Sequence, residues 1–578
     1  MAKAAENYTD LDKLRHSCAH VLAQAVKRKY PHAKLGFGPP VEDGFFYDIH
    51  LPEPLGDAEL KAIEKEMEAI VRANYAFEKK MVSPAEAKKI FKDKNETFKV
   101  EFVEQLAGNE DISIVVDGDF TDLCKYPHAH ATGEIKAFKL TSVAGAYWKG
   151  IETNPVMQRV YGTAFFSKAE LIEWEKLLVE AKRRDHRKLG KELDLFMFSP
   201  LAAASPFFKP KGALIYNLLQ EYIRRIYAQE DYREVITPQI FDAELWKKSG
   251  HYEKYKDNMY FTKVEDLECA IKPMNCPSHA LIFAADLHSY RDLPIRFADF
   301  GRLHRFERSG VTSGLTRVRT FSQDDAHIFC TEDQIGGEIA RVCTMIRRVY
   351  GDFGFPEPKV YLSTRPERKV GSDAIWDKAE AALEEAVKAN GLNYTVNPGD
   401  GAFYGPKLDF IVQDALKREW QLGTIQLDFN MPERFELEYR NAEGGVSRPV
   451  MVHRAVLGSL ERFMGILIEH YGGAFPLWLA PVQICVIPIA EAQQTYAADV
   501  ALELNKQGYR VRLDAATETL GARIRAAQTE KIPYMIVLGD KEIEAQKIAV
   551  RSRSAGDLGT STLAEFTEKL RSEVHKRS

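Results

Sequence analysis

The chain has 578 residues, 45% of them hydrophobic and 28% charged, with a formal net charge of -5. This ordinary globular composition allows three or four domains at roughly 150 residues each, and it excludes a disordered protein, a collagen and a disulfide-stapled miniprotein. The near-neutral balance excludes a globally basic nucleic-acid coat and leaves any RNA binding to local patches.

In residues 10–30, Leu11, Leu14, Cys18, Val21, Leu22, Ala25 and Val26 recur at helical spacing. Asp10 reads as the N-cap, and Pro31 ends the segment. Gly44 to His50 reads as a strand and 57–74 as a second amphipathic helix, with short strands and turns up to about 150. A long charged helix follows over 167–195; its KRRDHRK run fits either a solvated face or an interdomain linker. From 196 to 478, apolar strand-like runs alternate with helices expected at 211–230, 371–389 and 454–471. Strands without regular βαβ alternation imply a mostly antiparallel sheet. Beyond Leu479-Ala480-Pro481, strands alternate with helices at 491–507, 518–530 and 562–572, which reads as a small α/β domain with a mostly parallel sheet.

Cysteines stand at 18, 124, 269, 276, 330, 343 and 485, with no CxxC, so reduced thiols are expected. The N-terminus has no apolar signal-peptide core, and no run of about 18 apolar residues suggests a membrane span. A soluble cytoplasmic protein is the expectation.

Four constellations carry chemistry. His16 and His20, at i and i+4, share a helix face; Ser17 stands where a zinc protease needs Glu. With Cys124 and His128 they form a set that suits zinc, acid/base work on an ester, or plain structure. Arg305, Glu307, Arg317 and Arg319 flank a Ser/Gly/Thr loop. Guanidinium forks suit phosphates, and a surface hairpin is the blander reading. Cys276, His327 and His453 lie too far apart for a local metal signature, and singly each reads as packing. Gly458 to Phe463 opens a helix bearing Arg462, either a phosphate contact or a capped core helix.

HSCAH, DLCKYPH, RDHRKLGKELDLF, SGHYEKY, KPMNCPSH, GRLHRFERSG, LTRVRTFSQDDAHIF, GAFYGPKLDF and MVHRAVLGSLERF occur in this order. Together they resemble the threonyl-tRNA synthetases, a family of class II aminoacyl-tRNA synthetases, over essentially the whole chain. The resemblance implies an α+β multidomain protein: an N-terminal α+β editing domain (1–165), a linker helix (166–195), a class II catalytic domain on an antiparallel sheet (196–479) and a C-terminal α/β anticodon-binding domain (480–578). It also implies that the family's usual small ubiquitin-like N-terminal domain is missing here.

Residue roles follow from the same resemblance. Arg305 and Glu307 match the second class II motif, with Arg305 on the ATP α-phosphate. Arg317 and Arg462 hold the γ-phosphate, Phe321 stacks on adenine, and Mg2+ accompanies ATP. Cys276, His327 and His453 match the ligands of one Zn2+ per subunit. Met274, Gln323, Asp325, Tyr404, Lys407 and Gln426 line the threonine pocket. His251 assists transfer to the terminal ribose of tRNA(Thr), and Pro238 marks the motif that builds a homodimer.

Valine lacks the hydroxyl that such a site engages, and a site built around a substrate hydroxyl rejects its absence by about 10⁴-fold or more. Serine loses only a methyl, about 10–200-fold, so a second hydrolytic site is needed. His16, His20, Cys124 and His128, helped by Lys99 and Asp122, match that editing site for Ser-tRNA, read here without a required metal. Phe46 replaces a frequent Tyr and so removes a phenol from that pocket. The segment from Pro481 carries 14 Lys+Arg against 13 Asp+Glu, so its RNA binding rests on Glu542 and Arg551 as anticodon contacts. Arg553 shares a strand face with Arg551, and Thr517 replaces the usual Asn. Two other readings are a class II synthetase for proline or serine, and an RNA-binding regulator on a retired scaffold. The Cys/His/His trio argues against the first, and intact Arg305 and Arg462 against the second.

Overall fold

Thr9, not Asp10, caps the first helix. In the computed structural model, which describes residues 8–41, 43–106, 111–514 and 518–577, the Thr9 hydroxyl accepts from the Asp12 amide at 3.2 Å. The Asp12 carboxylate accepts from the Thr9 amide at 2.9 Å. This reciprocal capping box starts Asp10–Lys29. Thr517 lies outside the described residues.

The chain divides into two compact units, 1–179 and 180–578. In the first, helices Asp10–Lys29 and Asp57–Ala73 pack against an antiparallel sheet whose main strands are Gly44–His50, Val156–Phe165 and Ala137–Tyr147. A second sheet holds Glu78–Val82, Ile112–Asp117 and Phe120–Leu123. Where only strands and turns were expected, Pro84–Asp93 and Thr97–Gln105 are helices. The first has a legible start, since the Ser83 hydroxyl caps it and Pro84 occupies its first turn.

Asp117 sits at the hairpin tip, buried, with neither carboxylate oxygen hydrogen-bonded. Burial, then the charges of Asp122 and Asp119, push its pKa up to about 8. The unfolded chain releases this proton near pH 4, so folding stability falls as pH rises between about 4 and 8, by at most about 1.4 kcal/mol per unit. Asp117→Asn keeps the shape without the titration. Its melting temperature is expected to match the parent's at pH 4 and exceed it at pH 8; a parent-like pH profile would clear Asp117 of the effect.

The linker expected as one helix over 166–195 is two. Lys168–Arg184 has no buried residue. Asp185 then breaks the chain direction and caps His186–Glu192 by accepting from the Arg187 amide at 2.8 Å.

The second unit is built on an eight-stranded sheet. Its order is Arg233–Glu234, Ile295–Asp299, Asp325–Cys330, Val450–Ala455, Glu419–Asp428, Lys407–Gln413, Lys359–Ser363 and Tyr394–Asn397. All pairings are antiparallel except the two at the edges. Helices Pro210–Gln229, Ile335–Asp352 and Leu460–His470 contribute to its main core; the middle one was not anticipated. Fully buried Arg454 donates to the Asp324 carbonyl at 2.6 Å and lies over the Tyr232 ring. The Asp324 carboxylate accepts from the Val456 and Leu457 amides at 2.8 and 2.9 Å. Arg454 Nη1 also lies 3.4 Å from that carboxylate, so Arg454→Leu removes its buried cation, and a loss of about 3–5 kcal/mol is expected in urea unfolding of the full chain. A loss under about 1 kcal/mol would show that the two amides alone hold Asp324.

The C-terminal sheet runs Val511–Leu513, Ile484–Pro488, Tyr534–Leu538, Ile548–Ser552, Gly556–Ser561. Only its first three strands are parallel; the last two pairings are antiparallel, so the expected mostly parallel sheet is mixed. The 539–547 connection is too short for a parallel crossover, which takes about a dozen residues or more.

Candidate functional sites

Strand register builds the first site. His327 pairs with His453, His453 with Gln426, and Gln426 with Lys407, so four adjacent strands present these residues in one row. The row floors a cavity of about 460 Å³, whose walls include Met274, Cys276, Arg305, Gln323, Asp325 and Tyr404. Cys276 opens helix Cys276–Ala284. Gly405 allows the close turn beside Tyr404, because a Cβ there would lie 2.0 Å from the Leu427 carbonyl oxygen.

One ligand atom each of Cys276, His327 and His453 lie within 4.8 Å of one another, all three residues buried. His453 Nε2 lies 3.0 Å from Asp428 Oδ2, and His327 Nδ1 lies 2.8 Å from His279 Nδ1. These partners leave His453 Nδ1 and His327 Nε2 for a ligand role, the arrangement in which an outer partner orients a metal-binding imidazole. Burial pushes the Cys276 thiol pKa up and the His327 pKa down. One sulfur and two imidazoles at this spacing fit a divalent metal with a position left open.

Around the rest of the cavity, Tyr404 donates to Gln426 and stacks on His453. Lys407 Nζ lies 2.9 Å from Asp409. Asn275 donates to Asp325 at 3.0 Å, and burial raises the Asp325 pKa. The Arg305 guanidinium lies 5.0 Å from the centre of the buried Phe321 ring and donates to the Pro273 carbonyl at 3.2 Å. Arg317 pairs with Glu307 at 2.9 Å. Burial, then the charge of Arg317, lowers the Arg462 pKa. Arg319, read as part of the same phosphate face, spends its donors on the Glu307 carbonyl and Ser309. His251 does not line the cavity. It is fully buried behind Met274, with Nε2 3.1 Å from the Met274 sulfur, and burial lowers its pKa to about 3.

In the first unit, His16, His20, Cys124 and His128 bring their ligand atoms within 4.8 Å of one another. His16 Nδ1 donates to the Pro127 carbonyl at 3.1 Å, so its Nε2 faces Cys124 Sγ at 3.4 Å with a lone pair. His128 stacks on His16 at 4.3 Å and meets His20 edge-on at 4.6 Å. Beneath them Asp122 is a hub, 2.5 Å from Lys99 Nζ, 3.3 Å from His20 Nδ1, and accepting from the Tyr47 hydroxyl at 2.5 Å. Burial lowers the pKa of His16 to about 4, lowers those of His20 and His128 as well, and raises that of Cys124 to about 12. All four are neutral near pH 7.

The expectation for Phe46 is corrected. Successive strand residues face opposite ways. Phe46 packs under the Arg159 guanidinium at 4.0 Å, while its neighbour Tyr47 points into the cluster. The hydroxyl missing at 46 is therefore not missing from this site, and alternation along GFFYD was a signal for Tyr47.

Residues 260–471 match the family model for the class II tRNA synthetase core domain (G, H, P, S and T). Residues 483–573 match an anticodon binding domain, and 112–161 match the threonyl and alanyl tRNA synthetase second additional domain. The threonine–tRNA ligase of Acetivibrio thermocellus is 51% identical over 559 residues, 97% of this chain and 88% of that protein. The chain belongs to the threonine–tRNA ligase family. The family member from Thermotoga petrophila is also 51% identical, over 97% of this chain and 88% of its own length. Among solved structures, a domain of threonyl-tRNA synthetase from Cryptosporidium parvum, described as RNA binding, matches with a TM-score of 0.66 and 46% identity, covering 67% of this chain and 98% of that one. A threonyl-tRNA synthetase from Aeropyrum pernix matches at 0.59 and 33% identity, covering 68% and 97%.

Within the anticodon-binding domain, Arg551 is partly exposed, 3.9 Å from Asp557. Arg553 is not its partner in reading a ligand. Its guanidinium donates to the Ala474 and Phe475 carbonyls at 3.0 and 2.9 Å, fixing the strand to the chain before Pro476. Glu542 caps its own short helix, accepting from the Gly539 amide at 2.9 Å. Among the described residues, no helix is long and apolar enough to cross a membrane.

Proposed function

We propose that the chain activates L-threonine with ATP and transfers it to tRNA(Thr). The observation that carries this reading is the row His327–His453–Gln426–Lys407 flooring a cavity that also holds Cys276 and Arg305. Cys276, His327 and His453 would hold Zn2+, which supplies a Lewis-acid position selective for an amino acid with a hydroxyl. Gln426, Tyr404, Asp325, Gln323, Lys407 and Met274 form the walls that orient the substrate. Attack of its carboxylate on the α-phosphate expels pyrophosphate, and Arg305 neutralises the charge that builds there. Arg317 and Arg462 hold the leaving phosphates, whose remaining charge Mg2+ bound with ATP would neutralise, and Phe321 offers adenine an aromatic face. The terminal ribose hydroxyl of tRNA then attacks the carbonyl and AMP leaves. His251 orients Met274 and Cys276 from below.

His16, His20, Cys124 and His128 hydrolyse Ser-tRNA(Thr), with Asp122 and Lys99 holding His20 and Tyr47. Glu542 and Arg551 contact the anticodon, and the segment around Pro238 builds a homodimer in the cytoplasm. The domains run 1–165, 166–195, 196–479 and 480–578. The experiment is ATP–pyrophosphate exchange with each amino acid, followed by charging of tRNA(Thr). Exchange with another amino acid and none with threonine would overturn the reading.

A further inference from the structure

The RDHRK run after the broken linker has no role in the chemistry above, yet its histidine is buried in the second unit. His186 forms a third tight cluster with Asp185 and Glu469, ligand atoms within 4.8 Å. This cluster leaves no imidazole lone pair for a metal. His186 Nδ1 donates to Glu469 Oε1 at 2.5 Å, and its Nε2 accepts from the Leu315 amide at 3.0 Å. Glu469 also accepts the His186 backbone amide at 2.9 Å, and its other oxygen takes Arg418. Arg418 is itself held by Asp414 at 2.6 Å.

The connection joins two parts of the proposed ATP site. Leu315 lies on the loop between Arg305 and Arg317. Glu469 lies on the helix that carries Arg462, Leu460–His470. The loop reaches the imidazole only because residue 314 is glycine: its φ is +48°, and a Cβ there would lie 2.1 Å from His186 Nε2. On the helix, a Cβ on Gly465 would lie 3.1 Å from that of Leu315. The Leu315 side chain is fully buried. The loop tip is thus clamped between His186 and the helix.

We propose that His186 is a positioning residue. By donating to Glu469 while accepting from Leu315, it fixes the loop of Arg305 and Arg317 against the helix of Arg462, and so sets the spacing of the three arginines that grip ATP. The inference rests on the reading of those arginines as the ATP site. It assigns the task to a neutral imidazole with its proton on Nδ1, since only that form donates on one side and accepts on the other.

The test is exchange kinetics of full-length His186→Ala and His186→Gln, using the amino acid that supports exchange in the parent. A carboxamide can donate and accept as the imidazole does; alanine can do neither. In His186→Ala the KM for ATP is expected to rise about tenfold or more while the KM for the amino acid stays within about twofold, because misplacing positioned groups by about an ångström costs up to about 10²-fold. His186→Gln is expected to restore the ATP KM to within about threefold of the parent's. An unchanged ATP KM in soluble His186→Ala, an equal rise for both substrates, or a glutamine variant no better than alanine would each overturn the proposal. If His186→Ala does not fold, Gly314→Ala carries the test, with the same selective rise in ATP KM expected and its absence overturning the idea. Failure of the parent to use threonine would count against the proposed substrate and leave this comparison intact.

Discussion

Cys276→Ala is expected to abolish threonine-dependent ATP–pyrophosphate exchange and to release the metal bound by the parent. Changes to residues that merely orient a metal ligand cost about 10–100-fold in metal affinity or activity, so removing a ligand should cost more than about 100-fold. The cost to the fold is small by comparison. Cys276 is buried at the first turn of its helix, and losing one sulfur leaves a cavity worth about 1–2 kcal/mol. A variant with normal melting, no bound zinc and no exchange would separate chemistry from folding. Retained exchange in a zinc-free Cys276→Ala would show that selection of threonine lies in the polar walls. The partners provide a graded control. Asp428 holds His453 from behind at 3.0 Å, so Asp428→Asn should lower zinc affinity by less than Cys276→Ala does.

The three candidate ligands illustrate what the sequence could and could not reveal. Cys276, His327 and His453 carry no local pattern, because tertiary packing rather than chain proximity assembles them: strand pairing sets His327 beside His453, and the start of a helix supplies Cys276. Register is not written in a single chain's local sequence, so each residue taken singly reads as packing. Local signals fared better where local physics decides. Gly44–His50 was legible from its apolar run, and Asp57–Ala73 from its helical periodicity. The mixed C-terminal sheet is written in the length of one connection, and the orientation of Phe46 in strand parity. The second histidine orientation was out of reach: nothing in KPMNCPSH says that His279 will meet His327. The role of Arg553 was equally hidden, since the carbonyls it binds belong to a turn nearly 80 residues earlier in the chain.

The editing cluster gives the second large effect. Serine differs from threonine by one methyl, worth about 10–200-fold in discrimination, which leaves a substantial flow of Ser-tRNA(Thr). Burial keeps the imidazoles of His16, His20 and His128 neutral near pH 7, and raises the Cys124 thiol pKa to about 12. That combination disfavours a thiolate nucleophile and favours water attack assisted by a neutral imidazole, a contribution of about 10²–10⁴-fold. His20→Ala with Cys124→Ala should therefore slow hydrolysis of Ser-tRNA(Thr) by at least about 10²-fold, let it accumulate, and leave threonine charging near the parent's rate. Because the cluster lies in the first unit and the candidate ligands lie in the second, zinc content should remain at that of the parent. Unchanged Ser-tRNA hydrolysis in the double variant would remove the editing assignment. Loss of one zinc per chain would instead mean that the four ligand atoms hold a metal of their own, and that the hydrolytic water is activated there rather than by an imidazole alone.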